Sequence, residues 1–384
     1  MKPAYSPQQI ADRTREFRSL TIAHPRLLDA RDMLTAAVHE APPGSIMMVY
    51  GPTGVGKTTL RLKLQQLLAD RTLPLMKADQ ACMPFVAVEA AAPDNGNFSW
   101  RDHYRRTLLA LNEPMLDQKQ KPNLIHLMHD SRAQHLLGPR SAAVELRHAL
   151  ESAILHRRPA AVLIDEAQHL TRIVSGRRLA DQVEVIKSLA NCTQTIHILL
   201  GTYDLLRLRQ LNGQLGRRSF DIHFSRYRAE SQADLRMFKN IVLTFEERLP
   251  LNERPDLVSL WDLLYERSVG CVGILKEWLD RALIASLKEG CVTMTARHLE
   301  TTALSASQCE KIAVEAHEGE AQLSSVNQVQ ARLREVLGLC PSSNMPPKTE
   351  AFQRKSGTRV GQRRPKRDQV GLNQSQPIRA IHGL

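Results

Sequence analysis

The chain has 384 residues, of which 42% are hydrophobic and 24% charged, proportions that are ordinary for a folded protein of one or two domains. It contains neither a run of about 20 apolar residues nor a secretory leader, which excludes a membrane span and favours a cytoplasmic protein. The six cysteines form no C-x-x-C pair, which disfavours a zinc ribbon or a disulfide framework, and the net charge of +12 suits a nucleic-acid partner.

The predicted elements begin with a helical segment at residues 1–40, which the dipeptide His24-Pro25 interrupts. Short apolar runs then alternate with helical patterns. This alternation predicts an α/β fold over residues 41–226, with helices on both faces of a parallel sheet. The five strands are predicted at residues 46–50, 85–89, 161–164, 196–200 and 222–224. The helices between them are predicted at residues 58–68, 100–111, 141–156 and 179–190.

The pattern changes after residue 226, because mainly helical spacing follows. Four helices are predicted there, at residues 232–247, 256–267, 274–288 and 296–304. They indicate a small helical domain over residues 227–305, which a helical extension at 306–340 follows. Residues 341–384 are rich in Pro, Ser and Gln and carry a net charge of +7, which leaves +5 for the preceding 340 residues. This basic tail is predicted to be disordered, since it can bury little apolar surface.

A glycine-rich loop joins the first predicted strand to the helix after it. The loop completes the pattern G-x-x-x-x-G-K-T, and we assign it with the next residue to nucleotide binding: Gly51, Pro52, Thr53, Gly54, Val55, Gly56, Lys57, Thr58 and Thr59. Its glycines allow backbone N–H groups to face phosphate oxygens, and the helix N-terminus adds positive potential. Lys57 is expected to reach the β- and γ-phosphates and Thr58 to ligate Mg²⁺. The cofactors predicted by this loop are ATP and Mg²⁺.

Two carboxylates follow the third predicted strand. Asp165 and Glu166 come directly after the apolar run 161–164, at the strand end that faces ligands in folds of this kind. Asp165 is expected to hold the Mg²⁺ shell, and Glu166 to orient or deprotonate the attacking water. A kinase needs no separate water-activating glutamate, so the pair favours hydrolysis of ATP over phosphoryl transfer to an acceptor.

These motifs together resemble those of AAA+ ATPases. The strand at 196–200 continues into Gly201-Thr202 and looks like the sensor-1 strand of that group. This resemblance implies that Thr202 contacts the γ-phosphate or the attacking water. Residues 214–218 resemble the segment that carries the arginine finger. The implied finger is Arg217, with Arg218 in reserve, and it would reach into the nucleotide site of the neighbouring subunit. A basic pair on an exposed loop is the other interpretation.

Residues 269–279 resemble the lid turn and helix of one subgroup, the transposition ATPases of the TniB, TnsC and MuB kind, which are related to the IstB helper proteins. One position departs from that pattern: relatives often place a sensor-2 arginine where this chain has Ile274, and Lys276 is the candidate substitute. The resemblance covers about residues 20–305. It implies a AAA+ P-loop NTPase that forms homo-oligomers around double-stranded DNA, as rings or as helical filaments with about six subunits per turn.

The candidate DNA contacts lie near the starts of two predicted helices. Arg101 and Arg105 are on the basic helix at 100–111, and Arg140 and Ser141 are at the start of the next assigned helix. Arginine and serine there would contact phosphates without reading bases. A solvated helix face is the alternative for each of them.

Three classes of function remain open. The first is an ATP-dependent regulator of DNA transposition that oligomerises on target DNA and recruits or activates a transposase, possibly through a targeting protein. The second is a replication initiator or helicase loader. The third is a signalling or defence NTPase switch that needs no nucleic acid. The first is favoured, because neither a winged-helix domain nor a repeat array is visible after residue 300.

Overall fold

The computed structural model describes residues 5–93, 96–114, 139–172, 176–210, 219–324, 333–334 and 336–339. Its centre is a sheet of five parallel strands in the order β2-β3-β4-β1-β5. The strands are β1 Ile46–Tyr50, β2 Val86–Glu89, β3 Ala161–Asp165, β4 Ile196–Gly201 and β5 Ser219–His223. The predicted α/β class with a parallel sheet is therefore confirmed, although β5 begins and ends earlier than the prediction.

Helices cover both faces of the sheet, and the alternation of side chains along β1 separates the two cores. Met47 and Val49 belong to the core under α2 and α3, whereas Ile46, Met48 and Tyr50 belong to the core under the helices of the other face. The helices of the first face are α2 Pro25–Glu40 and α3 Lys57–Ala78. Those of the second face are α4 Trp100–Ala110, α5 Pro139–Arg157, α6 Gly176–Thr193 and α7 Leu206–Gln210.

Helix α3 ends ten residues later than the prediction, which ended at residue 68. It continues through Pro74, although proline removes one main-chain hydrogen bond and usually ends a helix. The last two turns expose Leu73 and Leu75, so they lack the buried face from which a helix is recognised in sequence. Helix α4 begins where it was predicted, because the Ser99 hydroxyl accepts a hydrogen bond from the Asp102 amide.

The helical part of the chain has a core of its own. It contains α8 Gln232–Arg248, α9 Trp261–Ser268, α10 Val272–Lys288 and α11 Ala296–Thr302. The N-terminal helix α1 Pro7–Ser19 packs here, since Phe17 lies in the same buried cluster as Phe245 and Trp278. Trp278 is fully buried, and its indole N–H donates to the Leu299 carbonyl at 2.9 Å.

Helix α12, Ala306–Ser324, returns to the segment that follows β4. Its Gly319 lies so close to Tyr203 that a Cβ at this position would stand 2.1 Å from the aromatic ring. Its Glu320 forms a buried ion pair with Arg226, with a distance of 2.9 Å from Nε to Oε1. The chain divides into two compact units, Met1–Ser325 and Val326–Leu384, so α12 ends the first unit. Within the described residues, no helix is both long and apolar enough to cross a bilayer.

Candidate functional site

The loops after β1, β3 and β4 meet at one edge of the sheet, because parallel strands present their carboxyl ends together. Strand β4 lies between the other two, so Thr202 stands between the glycine-rich loop and the carboxylate pair. A cavity of about 520 Å³ opens at this edge. Its lining from the predicted set is Thr53, Gly54, Gly56, Lys57, Thr58, Thr59, Glu166 and Thr202.

The glycine-rich loop is held in a conformation that favours glycine. Gly54 and Gly56 have φ angles of +72° and +114°, in the left-handed region that other residues rarely adopt. Lys57 is buried, and its Nζ donates to the carbonyls of Gly51 and Pro52 at 3.0 and 2.9 Å. Burial lowers the pKa of Lys57, and the nearby carboxylate of Glu166 opposes this effect. The ammonium group is therefore already directed at the concave side of the loop.

Asp165 already has a cationic partner, which the sequence analysis did not anticipate. Its Oδ2 accepts from Nε of Arg61 at 2.8 Å, and its Oδ1 accepts from the Glu166 amide at 3.0 Å. Arg61 is one turn after Lys57 on α3, and this i,i+4 spacing was the available signal. The Thr58 hydroxyl and the Asp165 carboxylate are hard oxygen donors of the kind that Mg²⁺ prefers. The donor set fits the ion if Arg61 shares or releases the carboxylate.

Glu166 has an unusual backbone, with a φ angle of +51° and a ψ angle of 32°. A left-handed conformation in a residue other than glycine costs on the order of 1–3 kcal/mol, and such residues cluster at functional sites. A short 3-10 turn, Ala167–Thr171, follows it and carries Gln168. The Gln168 amide lies between Glu166 and Thr202, a contact that the sequence analysis also missed.

The helical part of the chain closes one side of the cavity. Gly273 lies at the N-terminus of α10, and the amide of the next residue, Ile274, donates to the Gly54 carbonyl at 3.2 Å. Lys276 lines the cavity, yet its Nζ donates to the main-chain carbonyls of Arg18 and Leu20. In this structure the candidate substitute for the sensor-2 arginine therefore holds the N-terminal segment.

A second, smaller cavity of about 40 Å³ adjoins the first and shares Gly56, Thr59, Gly273 and Lys276 with it. The segment between α1 and α2 contributes to its wall, including His24. Burial, with a smaller contribution from Arg26, lowers the pKa of His24 to about 4, so this imidazole is neutral at pH 7. His24 therefore adds no charge to the wall of this cavity.

The strand order of the sheet and the position of the glycine-rich loop agree with the protein family that part of the chain matches. Residues 43–208 match the family model of the AAA domain. The fold is that of a AAA+ P-loop NTPase, with a five-stranded parallel sheet flanked by helices. No curated protein matches the chain.

Several solved structures are similar to this chain at low sequence identity. One is the ORC2 protein of Aeropyrum pernix in its ADPNP-ADP complexes, with 15% identity and a TM-score of 0.46 over 79% of this chain and 70% of that one. The ORC1 protein of the same organism in complex with DNA has 16% identity and a TM-score of 0.48, over 75% and 68%. Domain III of the Thermotoga maritima replication initiation protein DnaA has 14% identity and a TM-score of 0.38, over 78% and 97%. The assignment of the AAA+ fold rests on the strand order and the family match.

Some of the predicted contacts of the AAA domain fall outside the described residues. Arg217 and Arg218 are among them. The backbone of Arg140 and Ser141 lies in the first turn of α5, which begins at Pro139, but their side chains are outside the described part. Arg101 and Arg105 are described, and both are exposed on α4. On the same helix Trp100 packs edge-on against Phe98 and beside Tyr104.

One cluster of metal-ligand types occurs in the described part of the chain, away from this cavity. Ligand atoms of Glu289, Cys291 and His298 lie within 4.8 Å of one another. Nδ1 of His298 accepts from the Thr295 amide at 3.0 Å, so the ring proton is on Nε2, which donates to Glu289 at 3.2 Å. That nitrogen offers the cluster a proton rather than a lone pair, which disfavours metal binding.

Proposed function

We propose that this chain binds ATP with Mg²⁺ and hydrolyses its terminal phosphate. The observation that carries the proposal is the convergence of Lys57, Glu166 and Thr202 around one cavity of about 520 Å³. Thr58 and Asp165 would hold Mg²⁺, which when bound neutralises charge on the phosphates. Glu166 would orient the attacking water and accept its proton, and Thr202 would contact the γ-phosphate.

Lys57 exchanges partners in this proposal. Its Nζ now donates to two main-chain carbonyls of its own loop, which are neutral acceptors. Phosphate oxygens are charged acceptors and form hydrogen bonds roughly twice as strong. Nucleotide binding would therefore draw Nζ from the carbonyls to the phosphates, while the loop amides receive the remaining oxygens.

The arginine finger would come from a neighbouring subunit. Among the described residues that line the cavity, the basic ones besides Lys57 are Arg18 and Lys276. Arg18 pairs with Asp280 at 2.9 Å, and Lys276 donates to main-chain carbonyls. The resemblance to AAA+ ATPases supports a different source: a further cation for the γ-phosphate would come from Arg217, or from Arg218, of the adjacent copy.

The cellular role that we propose is regulation of DNA transposition. ATP-bound oligomers would assemble on double-stranded target DNA as rings or filaments, and would recruit a transposase with its targeting protein. The support is the resemblance of residues 269–279 to the transposition ATPases, together with the net charge of +12. The exposed Arg101 and Arg105 would contact DNA phosphates, as would Arg140 and Ser141.

The experiment that tests the enzymatic proposal is steady-state release of phosphate from ATP by the full chain, with and without Mg²⁺ and duplex DNA. Glu166→Gln is the matched variant, because it keeps the shape of the side chain but cannot accept the water proton. We expect this variant to bind ATP as the wild type does and to hydrolyse it at least about a hundredfold more slowly. Hydrolysis at the wild-type rate would refute the assignment of Glu166.

A further inference from the structure

Gln168 joins two groups that the proposed hydrolysis assigns to different tasks. Its Nε2 donates to Oε2 of Glu166 at 2.5 Å, and its Oε1 accepts from the backbone amide of Thr202 at 3.2 Å. The orientation of this amide is determined chemically, because a carboxylate only accepts and a backbone N–H only donates. One side chain therefore connects the water-activating carboxylate to the segment that faces the γ-phosphate.

The packing around Gln168 leaves its amide little freedom. The residue is only 8% exposed, and its main-chain carbonyl accepts from the Thr171 hydroxyl at 2.7 Å, which fixes the backbone that carries the side chain. A Cβ on Gly201 would stand 2.6 Å from Oε1 of Gln168 and 3.0 Å from its backbone nitrogen. Strand β4 can end beside the glutamine only because residue 201 lacks a side chain, so Gly201 and Gln168 fit as a pair.

The carboxylate of Glu166 needs such a support. Its backbone is left-handed, and its side chain has three rotatable bonds at the mouth of an open cavity. A general base contributes most when it is held within hydrogen-bond reach of the water, and a displacement of about 1 Å can reduce the rate about a hundredfold. A buried amide donor is a means of holding the carboxylate at that place.

We propose that Gln168 is a positioning residue for ATP hydrolysis: it fixes the Glu166 carboxylate and the Thr202 amide in one arrangement. The inference rests on the proposed ATPase function and extends it. Because the two groups share one amide, a movement of Thr202 on contact with the γ-phosphate also moves the hydrogen-bond donor of Glu166.

The test compares three variants of the full chain. For each, kcat, KM and the affinity for a fluorescent ADP analogue are measured. Gln168→Ala should lower kcat by about ten- to a hundredfold and leave KM and ADP affinity within about twofold. Gln168→Glu keeps the shape but replaces the donor by an acceptor, so it should lose at least as much. Gln182→Ala is the matched control, since it removes a glutamine that accepts from the Trp100 indole away from the cavity. It should leave kcat unchanged.

A double-mutant cycle separates positioning from a general structural role. If Gln168 acts through Glu166, Gln168→Ala should change the residual rate of Glu166→Gln by less than about twofold. Losses that multiply would overturn the inference, as would a Gln168→Ala variant with wild-type kcat or with a loss confined to KM and ADP affinity. In those cases the wild type still hydrolyses ATP and the proposed function stands. A wild-type chain without Mg²⁺-dependent ATPase activity would overturn the proposed function and this inference with it.

Discussion

At the scale of single residues, the charged groups placed to meet a nucleotide each have a partner within the chain. Lys57 donates to carbonyls of its own loop, and Asp165 pairs with Arg61 at 2.8 Å. The side chains of Arg61 and Asp165 are mostly buried, with exposures of 21% and 10% respectively. A buried carboxylate without a partner would be costly, so Arg61 supplies the positive charge that Mg²⁺ supplies when it binds.

Replacement of Arg61 should therefore change the response to Mg²⁺. In Arg61→Gln the carboxylate of Asp165 is no longer shared with a cation, so its attraction for Mg²⁺ increases. We expect the Mg²⁺ concentration that gives half-maximal binding of a fluorescent ATP analogue to fall by about tenfold. Lys63→Gln on the exposed side of the same helix is the control, and an equal shift in both variants would contradict the role of Arg61.

Three buried histidines should make the fold sensitive to acid. Burial lowers the pKa of His24, His103 and His197 to about 4 from 6.5; Arg26 adds to this at His24, and His197 adds to it at His103. The unfolded chain therefore takes up more protons between these values. These neutral histidines contribute their full stabilisation above about pH 6.5. As the pH drops toward 4, the free energy of unfolding falls, by about 2 kcal/mol per histidine at pH 5.

Urea unfolding at several pH values between about 5 and 7 measures this slope. His197→Gln should reduce the slope, since one of these groups is removed. His148→Gln is the comparison, because that imidazole is 68% exposed. If both variants keep the slope of the wild type, these histidines are not the cause of the acid sensitivity.

At the scale of elements, the docking of α12 depends on one buried ion pair. The Arg226 and Glu320 side chains are 10% and 8% exposed, and two hydrogen bonds join them. Burial opposes the effect of Glu320 on the arginine, but the carboxylate still raises the pKa of Arg226. The two opposite charges are thus buried side by side, and α12 stays docked beside Tyr203 as long as both are present.

Removal of one partner should cost more stability than removal of both. Arg226→Met leaves Glu320 buried and unpaired, and should lower the free energy of unfolding by about 3–5 kcal/mol. The double variant Arg226→Met with Glu320→Leu should recover most of that loss. Arg228→Met is the control, since Arg228 is 47% exposed and lies 3.8 Å from Glu320. A double variant as unstable as Arg226→Met would show that the loss is not due to an unpaired charge.

Elements with a strong local signal were predictable from sequence, and contacts between distant segments were not. Strands β1 to β4 are mostly apolar runs, whereas β5 is not, and the Ser99 and Ser231 hydroxyls cap their helices by accepting from the amide of the Asp three residues later. The position of β4 between β1 and β3 is a property of the whole sheet, to which no local pattern points. Arg61 and Gln168 gain their roles from residues that lie 104 and 34 positions away. Gln168 follows the predicted carboxylate pair by two residues and Arg61 follows Lys57 by four, but neither spacing indicates the distant partner.

At the scale of the whole molecule, the proposed oligomer shares each active site between two copies. A mixture of Lys57→Ala and Arg217→Ala chains should then recover part of the activity that either lacks alone, because some interfaces combine an intact pocket with an intact finger. The measurement is ATPase activity at increasing protein concentration. A mixture as inactive as its components, and wild-type activity per molecule that is independent of concentration, would argue for a site complete within one chain.

Contact with DNA phosphates predicts binding that depends on salt more than on sequence. Affinity for duplex DNA should require ATP and should fall on the order of tenfold or more between about 50 and 200 mM salt. Arg101→Ala should weaken binding to all DNA sequences about equally. Electron microscopy of complexes with and without residues 341–384 tests whether the folded part suffices for assembly. Loss of all binding on deletion of that tail would instead place the DNA contact in the tail.

The main-chain contact between Gly54 and α10 has a mechanical consequence. A Cβ on Gly273 would stand 2.4 Å from the Gly54 carbonyl oxygen, so the two segments touch without an intervening side chain. Helix α10 has 17 residues and is about 25 Å long, with this contact at one end. A tilt of about 5° at the contact would move the far end, near Lys288, by about 2 Å. A small displacement of the phosphate loop would thus be enlarged into a larger movement at the far end of α10, even with isoleucine at position 274.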